Sequence, residues 1–294
     1  MLENVKWTNL SRRSIAHLVT ELGTPVTRGI VGLWLRANDF RRRSTQKKKT
    51  MGSHINRDAQ FKRIAKLKQR YEKAGNPVIS MDTKKKELLG NFHRAGKLEC
   101  QAVILVNDHD FASEATGKLI PHGIYDLKHN LGYVHLNTTH DTTELSCDSV
   151  ALWWNKHGQV LFPKSKKLLI LCDGGGSNSS RYFIFKEDLQ ALADCLGIEI
   201  RIAHYPPYCS KFNPIEHRLF PHVTRALQGV VLKSVEIAKN FIERTVTSTG
   251  LKVVVRCLDK VYATKRKVAD DFKDSMRIVF DKVMPQWNYV AKPT

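Results

Sequence analysis

Apolar positions near the start of the chain recur at helical spacing. Ile15, Leu18, Val19 and Leu22 fall at i, i+3, i+4 and i+7 behind a capping Ser11, which predicts one short helix. Gly23-Thr24-Pro25 breaks it, and Thr27 opens a second helix whose buried side is Ile30, Val31, Trp34 and Leu35. Two helices joined by a Gly-containing turn, followed by FRRRSTQKKK, have the form of a helix-turn-helix with a basic tail, although plain helical hairpins share that pattern. RDAQFKRIAKLKQRYEK, from Arg57 to Lys73, is helical and basic with Phe61, Ile64 and Tyr71 on one face, and reads as a linker helix.

Past Gly75-Asn76-Pro77 the residue types change to strand formers. Val78 to Met81 is a short apolar strand ending in Asp82, and Glu87 to Phe92 continues it or pairs with it. Ala95 to Pro121 shows no clear period and reads as a loop or insertion. Ile124 to Leu127 and Tyr133 to Leu136, joined by KHNLG, predict a hairpin. DTTELSCDSVALWWNKHG predicts a helix opened by an Asp141–Glu144 capping box, with Leu145, Val150 or Ser149, and Trp153 facing inward, and closed by Gly158. Lys167 to Cys172 is a buried strand that ends on Asp173. A helix through Leu189, Leu192 and Leu196 stops at Gly197, the strand Ile198 to Ala203 follows, and PPYCSKFNPIEHRLF starts another helix. Three strands, then helix, strand, helix, strand, helix describe an α/β fold with a mixed sheet flanked by helices, in the ribonuclease-H-like order.

The expected organisation is a small all-α helix-turn-helix region over residues 1–55, a basic linker helix over 56–75, a catalytic domain over 76–250 and an extension over 251–294 without an assigned role. With 294 residues and 42% hydrophobic content, the chain can bury one large core or a core and a satellite. No apolar run approaches the roughly 18 residues of a membrane span. MLENVKWTNLSRR lacks the apolar centre of a signal peptide, so a cytoplasmic placement is expected. The six cysteines contain no C-x-x-C pair, which argues against a zinc cluster or a disulfide framework.

Charge changes the picture most. The net charge is +20, and between Arg36 and Lys73 there are 14 Lys and Arg against the acids Asp39, Asp58 and Glu72, which places +11 of it in 38 residues. Such a segment seeks a polyanion and binds phosphates in a salt-sensitive way. Arg28 and Arg36 on the second helix, and Arg41, Arg42 and Arg43 after it, are the DNA-contact candidates there.

Against this basic background three acids stand at telling places. Asp82 and Asp173 end strands, and Glu216 lies one turn into the helix after the next strand, so neighbouring strands would bring them to one edge of the sheet. Hard divalent cations take carboxylate oxygens, and two ions held together serve phosphoryl transfer. Each acid has a local alternative: Asp82 as an ordinary strand end, Asp173 as the opening of the Gly174-Gly175-Gly176 turn, and Glu216 as partner of Asn213 in a capping box with Pro214 at the first helical position. The triple glycine lacks the G-x-x-x-x-G-K-[ST] of a phosphate loop. Asp141 is a rival acid, and His140, His204 and His217 could carry protons or touch DNA, against purely structural roles. Lys84, Lys85 and Lys86 beside Asp82, with Lys211 and Arg218 beside Glu216, are candidate phosphate contacts.

MDTKKKELLGNF, the GIYDL…LGYV hairpin, LLILCDGGGSNSSR and HYPPYCSKFNPIEHRLF together resemble the ISAzo-thirteen family of bacterial insertion-sequence transposases. The last segment is also similar to the PPYSPxLNPIE signature of Tc/mariner-type elements. The resemblance runs from about Trp7 to beyond Thr249. It implies a DDE transposase of ribonuclease-H-like fold that uses Mg2+ or Mn2+, as two ions, to cut the element's ends and join them to target DNA. It also implies that Asp82 and Asp173 are the two aspartates and Glu216 the glutamate, acting on the bacterial nucleoid. The expected partners are double-stranded DNA, as terminal inverted repeats and target, and a second copy of the chain in a homodimer. Family members usually carry more N-terminal sequence, so a shortened copy is expected, and Glu99 to Ser113 departs from the family's more polar insertion. The rival readings are a non-catalytic DNA-binding regulator or relic, and a nuclease that cuts without joining.

Overall fold

In the computed structural model the described residues are 5–43, 52 and 54–294; most of the basic tail, including Lys47, Lys48 and Lys49, lies outside them. The chain forms two compact units, residues 1–50 and 51–294.

The first unit is a helical pair, α1 (Arg12–Glu21) and α2 (Arg28–Ala37). The side-chain oxygen of Ser11 accepts from Ser14 N at 3.0 Å and that of Thr27 from Ile30 N at 3.4 Å, so both helices start where a Ser or Thr satisfies a free amide. Their buried residues are Ala16, Val31 and Gly32, while Leu18, Leu22, Ile30 and Trp34 are exposed. Of the apolar residues expected inside, Val31 is buried and Ile15, Val19 and Leu35 are partly buried, while these four face outward. Arg28, Arg36, Arg41, Arg42 and Arg43 are all exposed, and Arg41 donates to Arg36 O at 2.9 Å, which closes the end of α2.

The second unit contains α3 (Arg57–Lys73), β1 (Val78–Thr83), β2 (Glu87–Leu89), β3 (Gly117–Asp126), β4 (Leu131–Asn137), α4 (Thr143–Trp153), α5 (Gln159–Leu161), β5 (Lys167–Cys172), α6 (Phe183–Leu196) and β6 (Glu199–His204). It continues through α7 (Ile215–Arg218), α8 (Phe220–Ala226), α9 (Val235–Glu243), β7 (Lys252–Cys257), α10 (Phe272–Ser275), β8 (Ile278–Phe280) and β9 (Asn288–Ala291). The sheet order is β7-β4-β3-β1-β5-β6-β9-β8, with β2 paired to β3. β1, β5 and β6 run parallel, and β3 is antiparallel to both β1 and β4. In the order of their appearance, the five strands from β4 to β6 lie 3-2-1-4-5 with the second reversed, which is the ribonuclease-H-like arrangement.

Helices cover both faces. Trp153 of α4 and Phe185 and Leu189 of α6 share a core with Ile79, Met81, Ile170 and Ile202. On the opposite face Ile64, Leu67 and Tyr71 of α3 pack on Val78, Leu169 and Leu171, and α7 to α9 pack on Tyr125, Val134 and Val253.

Several boundaries differ from the sequence reading. β3 begins at Gly117, inside the stretch expected to be a loop; from Leu119 onward its residues are buried on both faces, so no alternation marks it. The N-cap of α4 is Thr142, whose hydroxyl accepts from Leu145 N at 3.2 Å, rather than Asp141. Gly158 does not close that helix. The chain continues through a π-helical turn, Trp154–Gly158, into α5, and a Cβ on Gly158 would stand 2.6 Å from the Trp154 ring, so this glycine admits an indole. The segment after residue 250 contributes β7, β8 and β9 to the same sheet.

Candidate active site

Asp82 is the fifth residue of β1, and β5 delivers Asp173 as the next residue after its last, Cys172. Because β1 and β5 are parallel neighbours, both carboxylates leave the sheet at one edge. Glu216 reaches that edge by a different route. The hydroxyl of Ser80, on β1, donates to Asn213 Oδ1 at 2.5 Å and accepts from Ile215 N at 3.0 Å, and Asn213 Nδ2 donates to Met81 O at 3.2 Å. The side chain that satisfies a first-turn amide of α7 therefore comes from the strand carrying Asp82. Asn213 does not form the expected local cap; it binds the helix start to β1, and Glu216 is free of the capping box.

Two glycines let α7 and α8 lie this close. A Cβ on Gly123, which pairs with Asp82 across β1 and β3, would stand 2.5 Å from the Phe220 ring and 2.8 Å from Ile215 Cδ1. One on Gly132 would stand 2.4 Å from Leu219 Cδ1.

Asp173 is held from behind. His204 pairs with Cys172 in the β5–β6 register, and its Nδ1 lies 2.8 Å from Asp173 O while its Nε2 lies 2.8 Å from the Tyr289 hydroxyl. A carbonyl can only accept, so Nδ1 carries the proton and Nε2 accepts from Tyr289. Full burial pushes the His204 pKa down to about 4, which keeps the ring neutral in this role. His204 is thus a strut; sequence reading had offered it as a proton carrier or DNA contact as well as a structural residue, and the partner that settles its orientation lies 85 residues further on, in β9.

The acids feel one another. Burial, then the negative charge of Asp173, raises Asp82 to about 8; Glu216 is raised by burial and Asp173. Asp173 is raised by burial and by Asp141, against a hydrogen bond from Gly175 N. Asp141 therefore belongs to the same edge: its Oδ1 accepts from Thr83 Oγ1 at 3.0 Å, and Lys86 stands 4.0 Å from its other oxygen. A set of carboxylates that repel one another in a half-buried place suits a hard cation, whose ligands are oxygens and whose charge would favour the ionised forms. Among the described residues no three His, Cys, Asp or Glu side chains are gathered closely enough to hold an ion as they stand.

The candidate phosphate contacts divide. Lys85, Lys86 and Arg218 are exposed, and Lys211 lies over the Phe212 ring. Lys84 is only 8% exposed and is paired with Glu87 at 2.6 Å. Glu87 also holds Arg94 at 3.4 Å, and these three line a groove of about 570 Å³ with Lys85 and Glu216. Arg94 had no signal in the sequence. His140 Nδ1 lies 3.0 Å from Tyr262 O, a structural contact, and His217 is exposed.

The family model described as the Rhodopirellula transposase DDE domain matches residues 1–293. No curated protein matches the chain. Among solved structures, the Mos1 transposase paired-end complex with left transposon end is similar at 14% identity and a TM-score of 0.46, over 79% of this chain and 65% of that one. The mariner Mos1 paired end complex with Mg is similar at 15% identity and a TM-score of 0.49, over 82% of this chain and 73% of that one. The chain spans about two thirds of the length of the first of these.

Proposed function

We propose a reaction for a chain that belongs to the Rhodopirellula transposase DDE-domain family: metal-dependent cutting of the ends of a DNA element and transfer of those ends into target DNA. The observation that carries it is the meeting of Asp82, Asp173 and Glu216, from three separate elements, at one edge of a ribonuclease-H-like sheet. Asp82, Asp173 and Glu216 would hold Mg2+ or Mn2+, one or two ions. When bound, such ions polarise the scissile phosphate and favour the ionised form of the attacking oxygen.

The chain supplies position and field. β1 and β5 fix Asp82 and Asp173, the His204–Tyr289 strut holds the Asp173 backbone, and Ser80 with Asn213 fixes the start of α7 under Glu216. Lys85, Lys86, Lys211 and Arg218 surround the edge as phosphate contacts, while Lys84 acts within the site through its pair with Glu87. In the first step water attacks phosphorus and the 3′-oxygen of the element's end leaves as a hydroxyl; in the second that hydroxyl attacks a target phosphodiester and displaces the target's own 3′-oxygen. Positioning and electrostatic stabilisation supply most of the rate in such transfers. Arg28, Arg36, Arg41, Arg42 and Arg43 of the helical pair contact the terminal repeats, and two copies of the chain bring two ends together.

The test is incubation of purified protein with DNA carrying the element's inverted repeats and Mg2+ or Mn2+. Wild type should nick at the ends and join them to a second duplex, and Asp173→Asn or Glu216→Gln should reduce this by at least a hundredfold, on the order of the loss when a key charge is removed. Cutting without joining would assign a nuclease instead. Tight salt-sensitive binding with no cutting by folded wild type would assign the regulator or relic.

A further inference from the structure

The basic helix α3 has two distinct sides. Gln60, Ile64, Leu67 and Tyr71 are buried, at spacings of four, three and four residues, and Gln60 is fixed by hydrogen bonds to His204 O at 2.8 Å and to Asn288 Oδ1 at 3.2 Å. Those contacts place the start of α3 at the catalytic edge, where β6 ends. Its other end passes through Gly75-Asn76-Pro77 into the first residue of β1, at the opposite edge. The helix therefore crosses the sheet from one edge to the other, a length of about 25 Å for 17 residues.

The solvent side carries Lys62, Lys66, Arg70 and Lys73, all exposed, at spacings of four, four and three residues. This is one stripe, with a cation about every 6 Å. It does not stop at the helix end. Ser165 donates to Asn76 Oδ1 at 2.7 Å, which pins the loop before β5 beside the end of α3, and Lys164 and Lys166 on either side of that serine are exposed. Arg70 and Lys167 line one small cavity of about 160 Å³ between the helix and this loop. Among the described residues, the four stripe cations and Lys164 and Lys166 make no ion pair, whereas Arg63 and Arg201 pair with Asp281, and Lys167 with Glu199.

We propose that this stripe and the loop beyond it form a second phosphate-binding track, which carries duplex DNA away from the catalytic edge across the back of the sheet. A duplex offers an unbroken row of phosphates, one charge per about 1.7 Å of axis, and a straight row of unpaired cations on a rigid helix matches it without regard to base sequence. The track rests on the reading that the ligand is DNA but not on catalysis. It gives the charge of residues 57–73 a task separate from that of the helical pair.

The experiment measures how the affinity of the full chain for a random-sequence duplex depends on salt. The variant replaces Lys62, Lys66, Lys73, Lys164 and Lys166 by glutamine; a control replaces the exposed Lys97, Lys233, Lys252, Lys267 and Lys282. Each lost phosphate contact lowers the slope of log affinity against log salt by about 0.9, so the track variant, with five lysines replaced, should lose about 4.5, with a fall in affinity of tenfold or more near 0.1 M salt, and the control less than one. An unchanged slope in the track variant, or an equal loss in both, would overturn the proposal. Thermal unfolding checks that both variants are folded. Failure of the proposed reaction would show as absent cutting with the slope difference intact, which separates the two ideas.

Discussion

At the scale of single residues, the chain keeps several buried polar groups neutral. His122 and His135 face one another across β3 and β4, both nearly inaccessible. Both ring nitrogens of His122 and Nδ1 of His135 lack a hydrogen-bond partner among the described residues. Burial lowers His122 to about 4; burial, then the neighbouring His122, lowers His135 to about 3. An unfolded histidine binds its proton near pH 6.5, so between that pH and about 4 the unfolded chain holds more protons than the folded one. The stability these neutral rings contribute is complete above pH 6.5 and is lost as the pH falls towards 4. His122→Phe fills the same space without orphaned nitrogens, so it should leave stability at pH 7 unchanged or higher. It should also remove on the order of 2 kcal/mol of the loss seen at pH 5, as read by urea unfolding at the two pH values. An equally steep loss in the variant would mean that His122 is not a source of the acid sensitivity.

At the scale of elements, the candidate catalytic edge depends on how closely α7 and α8 approach β3. Gly123 admits the Phe220 ring, and an added methyl there would force the ring and Ile215 outward. Overpacking of this kind costs about 1–3 kcal/mol. Because Ile215 directly precedes Glu216, Gly123→Ala should lower end cleavage tenfold or more while duplex affinity stays within about twofold, a misplacement effect. Equal activity in a folded variant would show that Glu216 does not depend on this contact. This reach between elements also explains what could be read from the chain. Asp82, Asp173 and Glu216 were legible because each stands beside a strong local signal: an apolar strand, an apolar strand before glycines, and a Pro-initiated helix. Ser80 as the cap of α7, Tyr289 behind His204 and Arg94 beside Glu87 were not, because their partners lie in other elements or carry no local pattern. The edges of β3 and α4 were misplaced where burial on both faces hid the period, and where Gly158 admits a ring rather than ending a helix.

At the scale of the whole molecule, the fold keeps unlike charges apart. The acids gather at the edge where β1 and β5 end, and the exposed cations of α3 run away from it. Among the described residues no helix is long and apolar enough to cross a membrane. The strands β1, β5 and β6 were legible at this scale because β1 and β5 are mainly apolar and β6 alternates Ile200 and Ile202 with Glu199 and Arg201; of the strands after residue 250, β7 and β9 were not, because they pair with β4 and β6 far back in the chain, and β8 is a three-residue edge strand. The central claim is that Asp82, Asp173 and Glu216 form one site for a hard divalent cation. It is tested most directly by titrating Mn2+ into the metal-free protein, with bound and free ion separated by electron paramagnetic resonance, for wild type, Asp82→Asn, Asp173→Asn and Glu216→Gln. The account predicts saturable binding by wild type and at least a tenfold weaker affinity in both aspartate variants, with a smaller loss for Glu216→Gln. Equal Mn2+ affinity in all four proteins, or no binding by folded wild type, would contradict it.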